Sequence, residues 1–84
     1  MDIGVELSLY PLADEFIPPI ARFIERLNKH AGLKVVTNSM STQVFGEYRK
    51  VFDTLALECR RTFEEIGKAV FVMKVLGPLA EPLA

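Results

Sequence analysis

The chain has one cysteine, one histidine and no surplus of either charge, and each shortage removes a class of protein. Cys59 alone forms no disulfide within the chain, so nothing covalent staples the fold. With His30 it still falls short of the four ligands of a closed zinc site. Ten Lys and Arg stand against eleven Asp and Glu, a net charge of −1. That balance argues against nucleic acid as a partner, since phosphate binding needs a clustered positive surface. The best basic candidate, Arg60-Arg61, faces Glu64 and Glu65 at i,i+4 on a helix and reads as a solvated, self-paired face. No apolar run reaches the roughly 18 residues of a membrane span. Met1-Asp2 opens into an alternating segment rather than a basic and then apolar leader. No glycine-rich phosphate loop occurs. The expectation is a cytoplasmic protein with no membrane contact, no nucleic-acid partner, no metal and no cofactor; a lone thiol is compatible with a reducing compartment.

What remains is ordinary globular composition: 84 residues, 50% hydrophobic and 25% charged. Disorder and low-complexity polymers fit this poorly, and the length excludes most enzyme architectures. A domain this small buries only about 60 to 65% of the surface its unfolded chain exposes, so a monomer is marginal. Without a disulfide, and with a mean hydropathy of +0.23, oligomerisation is the expected source of further burial.

Ile3, Val5, Leu7 and Leu9 alternate with Gly4, Glu6, Ser8 and Tyr10, the pattern of a half-buried strand. Pro11 stops it and Asp14 suits a helix entry. Pro18-Pro19 is tolerable only in a first helical turn, so the helix is expected from Ile17 to about Ala31. Its apolar stripe is Ile20, Phe23, Ile24, Leu27 and Ala31, and Gly32 terminates it. Lys34 to Ser39 and Thr42 to Glu47 read as a hairpin with a short connection at Met40-Ser41. A second helix carries Val51, Phe52, Leu55, Cys59, Phe63 and Ile66 on one stripe and ends at Gly67. Leu57 falls on the opposite, polar side with Lys50, Thr54, Arg61 and Glu64. Lys68 to Val75 is a last strand, and the tail to Ala84, with Gly77, Pro78 and Pro82, is expected to be irregular.

The order β-α-β-β-α-β predicts an α+β, ferredoxin-like sandwich over residues 1–76: a four-stranded antiparallel sheet with two helices on one face and residues 77–84 as a tail. The first and third strands are central, and one sheet face is uncovered. That face holds Gly4, Glu6, Ser8 and Tyr10, with Val70, Val72 and Lys74 from the last strand; Glu6 and Lys74 are expected to be diagonal neighbours.

Catalytic groups are scarce. His30, in a last helical turn, suits a dipole or solvent role, and Cys59 suits a packed thiol. Met40 and Met73 are either ligand-facing or packing filler. The unusual segment is Thr37-Asn38-Ser39-Met40-Ser41-Thr42-Gln43, with six uncharged polar side chains out of seven. Turn chemistry accounts for such residues. A hairpin between sheet strands also sets them beside Ser8 and Tyr10, a cluster suited to the edge of a neutral polar ring.

At these residues the chain resembles a known family. Glu6 to Leu12, Thr37 to Tyr48 and Gly67 to Lys74 look like the thiamine-binding domain family of small ferredoxin-like proteins, and the resemblance extends nearly to Val75. It implies a binding domain without catalysis for thiamine or its hydroxymethylpyrimidine half. It also implies a homodimer or homotetramer formed through sheet faces, with ligand at the open face near that interface. An aminopyrimidine edge would pair with Asn38 or Gln43, with Ser8, Ser41 or Thr42 on its substituents and Tyr10, Phe45 or Phe71 on its ring. A thiazolium cation would favour an aromatic face or the carboxylate of Glu6 or Glu47. Strand parity is open: either Thr37 and Ser39 or Asn38 and Met40 face the pocket. Two other classes stand beside this reading: a structural or regulatory oligomerisation module whose open sheet is only an interface, and an enzyme using carboxylates, Lys74 or Tyr10.

Overall fold

A computed structural model describes residues 1–80. Its elements run β1 (Asp2–Pro11), α1 (Ile17–Asn28), β2 (Lys34–Thr37), β3 (Thr42–Glu47), α2 (Tyr48–Ile66) and β4 (Ala69–Leu76). The sheet order is β2-β3-β1-β4 with every neighbour antiparallel, and β3 and β1 are central as expected. This is the ferredoxin-like α+β arrangement.

The alternation in β1 is the basis of the fold. Ile3, Val5, Leu7 and Leu9 are buried beneath the helices with Phe23, Leu27, Val44, Val51 and Leu55. Full burial of one such side chain stabilises by about 1.5–3 kcal/mol. On α1 the most buried positions are Pro19, Phe23 and Leu27, each four residues apart, with Ile20 and Ile24 only partly covered. The helix ends at Asn28, one turn before the expected Ala31, which is exposed.

The stripe on α2 differs from the expected one. Val51 and Leu55 are buried, but the stripe continues through Thr54, Glu58 and Thr62, while Phe63 is 45% exposed and Cys59 is half-buried. Glu58 is fully buried because α1 brings partners to it. Arg26 Nε donates to its Oε1 at 2.8 Å, and Arg61 Nη1 donates to its Oε2 at 3.1 Å. His30 Nε2 lies 2.7 Å from the same Oε2, so His30 is tied to α2 rather than free at a helix end. Arg26 Nη2 also donates to Thr62 Oγ1 at 2.8 Å. Of the expected helix-face pairs, Arg60–Glu64 forms at 3.6 Å. Arg61 turns to Glu58 instead, and Glu65 takes Arg22 and Arg26 from α1. The reason is geometric: the Glu58–Thr62 side of α2 faces α1, so long cations from both helices meet there.

Glu47 caps α2 by accepting from the Lys50 N–H at 3.0 Å, and bonds from the Lys50 and Arg49 N–H groups hold its carboxyl below the ordinary value. Gly67, at φ +79°, closes the helix with its N–H on the Phe63 carbonyl, a backbone shape that favours glycine. Past β4, the Leu79 N–H donates to the Asp2 carbonyl at 2.8 Å. Residues 81–84 of the expected tail lie outside the described residues. No described helix is long and apolar enough to cross a membrane.

Candidate functional site: the hairpin cleft

The hairpin between β2 and β3 is shaped by one side chain. Asn38 Oδ1 accepts from the backbone N–H of Met40 at 2.8 Å and of Ser41 at 3.1 Å, while the Asn38 N–H donates to the Ser41 carbonyl. This Asx turn ends β2 at Thr37, two residues before the expected Ser39. It leaves the Asn38 amide nitrogen as the donor through which that side chain can meet a ligand.

Register resolves the parity. Leu7 faces Thr42 across β1–β3, and Thr42 faces Thr37 across β2–β3, so both threonines share the helix side of the sheet with Leu7. Their hydroxyls are 3.3 Å apart. Ser41 turns to the other side, where its hydroxyl donates to Glu6 Oε2 at 3.1 Å.

The two neighbours of β1 have unequal lengths. Pairing with β3 stops at Leu7↔Thr42, whereas pairing with β4 continues to Pro11↔Ala69. Ser8, Leu9 and Tyr10 therefore have a neighbouring strand on one side only. On the other side lies a cleft of about 210 Å³. Its wall is Ser8, Tyr10 and the hairpin from Thr37 to Thr42; its apolar floor is Leu7, Leu9, Ile20, Phe23 and Ile24. None of these side chains is charged. An apolar cavity of about 150 Å³ accommodates benzene, so this volume suits one substituted ring.

A second depression, of about 350 Å³, lies on the uncovered face among Gly4, Glu6, Gln43, Phe45, Lys74 and Leu76. Glu6 and Lys74 are direct cross-strand partners rather than diagonal ones, with Lys74 Nζ 3.9 Å from Glu6 Oε1. Phe45 lies over Gly4: a Cβ there would come within 2.8 Å of the ring.

The residues singled out in the sequence thus separate into groups. Ser8, Tyr10, Thr37, Asn38, Met40, Ser41 and Thr42 come together at the cleft. Glu6 and Phe45 belong to the open-face groove, joined to the cleft by the Glu6–Ser41 bond. Phe71 joins neither: it is opposite Leu9 on the helix side, with ring centroids 5.1 Å from Phe23 and 5.5 Å from Phe63. The floor residues Ile20, Phe23 and Ile24 were legible only as a core stripe. The signal that they also line a cleft is the early end of the β1–β3 ladder, which leaves Ser8 to Tyr10 without a neighbouring strand on that side.

Fold and cleft together define a ferredoxin-like domain with a ring-sized, uncharged recess at the hairpin end of its sheet. Residues 2–75 match the YKOF-related family, and the chain belongs to it. No curated protein matches the chain. Solved structures share the fold. One is a Thermotoga maritima protein assigned provisionally to thiamine biosynthesis or salvage, at TM-score 0.84 and 19% identity over 93% of this chain and 85% of that one. A Streptococcus pneumoniae protein superposes at TM-score 0.86 with 18% identity over 95% and 90% of the two chains. A Methanocaldococcus jannascii protein does so at 0.81 with 21% identity over 95% and 84%. At these identities the likeness is one of fold.

Proposed function

We propose that this protein binds thiamine or its hydroxymethylpyrimidine half without turning it over, holding the pyrimidine in the hairpin cleft. The observation that carries this reading is the cleft itself, where uncharged hydroxyls, the Asn38 amide and a one-sided stretch of β1 meet an apolar floor. A flat heterocycle with adjacent donors and acceptors matches such a lining. The thiazolium of whole thiamine would extend toward Phe45 and Glu6. The provisional thiamine role of the Thermotoga maritima relative and the resemblance of Thr37 to Tyr48 support the same direction. Calorimetric titration with thiamine and with hydroxymethylpyrimidine tests it; no heat and no melting shift at millimolar ligand overturns it.

A second reading is favoured by the uncovered face, where Tyr10, Val70 and Val72 are 56%, 46% and 51% exposed. In that reading the domain is a homo-oligomerisation module whose sheets pack face to face. The two are compatible unless the assembled interface fills the cleft.

A further inference from the structure

The cleft carries a charge signature that the proposed binding role does not require. A site for phosphate esters needs positive side chains or free backbone N–H groups at a helix start. Among the described residues no lysine, arginine or histidine lines the cleft. The helix start nearest to it, that of α1, has Pro18 and Pro19 in its first turn, so two of the N–H groups a helix would offer an anion are missing.

The ionised group hydrogen-bonded to the cleft wall is instead a carboxylate. Glu6 is one hydrogen bond from the cleft wall, its Oε2 accepting from Ser41 at 3.1 Å, and it is 43% exposed on its side chain. Lys74, the one cation lining the open-face groove, is 3.9 Å from the other oxygen of Glu6 and so already faces a carboxylate. A phosphate monoester carries close to two negative charges at neutral pH. Placed at the cleft, that group would lie near Glu6 with no counter-charge among the lining side chains; at the groove it would compete with Glu6 for Lys74.

We propose that the site selects unphosphorylated ligands, neutral or cationic, and that Glu6 behind Ser41 is the specificity-determining residue that excludes phosphate monoesters. This rests on the binding role proposed above. Thiamine with its permanent positive charge, and the neutral hydroxymethylpyrimidine, fit the wall and the carboxylate; their phosphates do not.

The test is calorimetric titration with two matched pairs, thiamine against thiamine monophosphate and hydroxymethylpyrimidine against its phosphate. In each pair the unphosphorylated compound is expected to bind at least about tenfold tighter at low salt. The gap should narrow as ionic strength rises. Glu6→Gln should narrow it further by strengthening binding of the phosphates, a pattern that loss of folding, which weakens all four compounds, would not produce. Equal or tighter binding of the phosphates overturns the selectivity and leaves the binding role standing. An unchanged gap in Glu6→Gln overturns the part assigned to Glu6. Failure of all four compounds to bind overturns the binding role, and the selectivity with it.

Discussion

His30 and Arg26, one turn apart on and just past α1, both meet the carboxylate of Glu58 on α2, with His30 Nε2 2.7 Å from one oxygen and Arg26 Nε 2.8 Å from the other. Burial alone would raise the Glu58 pKa, but the bonds from His30 and Arg26 and the charges of Arg61 and Arg26 outweigh it, and the carboxyl is held below its ordinary 4.5. The helices are therefore clamped by a buried anion whose donors come from both of them.

Removing that anion takes away the buried partner that Arg26, His30 and Arg61 share. Glu58→Gln is expected to lower the unfolding free energy at pH 7 by about 3 kcal/mol, the usual cost of breaking a buried ion pair from one side. The folded chain holds this carboxyl's proton less readily than the unfolded chain does, so the stabilisation is complete above the ordinary value of 4.5 and lost as the pH falls through the lower folded-state value. Urea unfolding at pH 7 and pH 3 checks both statements: the gap between the wild type and Glu58→Gln should be large at pH 7 and smaller at pH 3.

This clamp also marks where the sequence stopped being legible. The strands were readable because β1 alternates without exception and β4 repeats the parity against it. The helix faces were less so, because hydrophobic spacing identifies apolar positions only. Glu58 and Thr62 occupy α2's inner side by pairing with Arg26, a partner 32 residues away for Glu58 and 36 for Thr62. Spacing along one helix cannot show such a partner. The cleft was half legible: the polar run Thr37 to Thr42 stood out, but the one-sided stretch of β1 beside it depends on where two ladders end. Phe71 was set against the ligand ring although the alternation that puts Val70, Val72 and Lys74 on the open face already turns it to the helix side, where the register finds it opposite Leu9.

Asn38 separates turn formation from binding. Its Oδ1 holds the Met40 and Ser41 N–H groups, so Asn38→Ala is expected to cost about 1 kcal/mol and to loosen the hairpin. Asn38→Asp keeps an oxygen in that place and removes the amide donor. It should retain wild-type unfolding within about 0.5 kcal/mol yet weaken pyrimidine binding by about tenfold. Equal loss of affinity and stability in Asn38→Asp would assign the residue to the turn alone.

Cys59 is predicted to be inert. Burial, with a smaller contribution from the negative charge of Glu58, pushes its thiol up to about 11. Alkylation at pH 7.5 should be at least about a hundredfold slower than for free cysteine, because the thiolate is the reacting species. Glu58→Gln removes the neighbouring negative charge and should speed the reaction under conditions where circular dichroism shows the variant folded.

The open sheet face gives the last expectation. Tyr10, Val70 and Val72 form an exposed strip on β1 and β4, with Tyr10 directly opposite Val70 and Val72 opposite Ser8. A domain of 84 residues with this much apolar surface outside its core gains most by packing that face against a second copy. Sedimentation velocity of the wild type should give a dimer or larger assembly. Val72→Glu would place a charge at the centre of the strip, beside Glu6 and far from the core, and should shift the population to monomer while leaving the monomer's secondary structure intact. Leu57, 41% exposed on α2 at the opposite surface, provides the control: Leu57→Glu should leave the assembly unchanged. If Leu57→Glu dissociates it and Val72→Glu does not, the helices rather than the sheet form the contact, and the hairpin cleft must be approached by ligand independently of any partner.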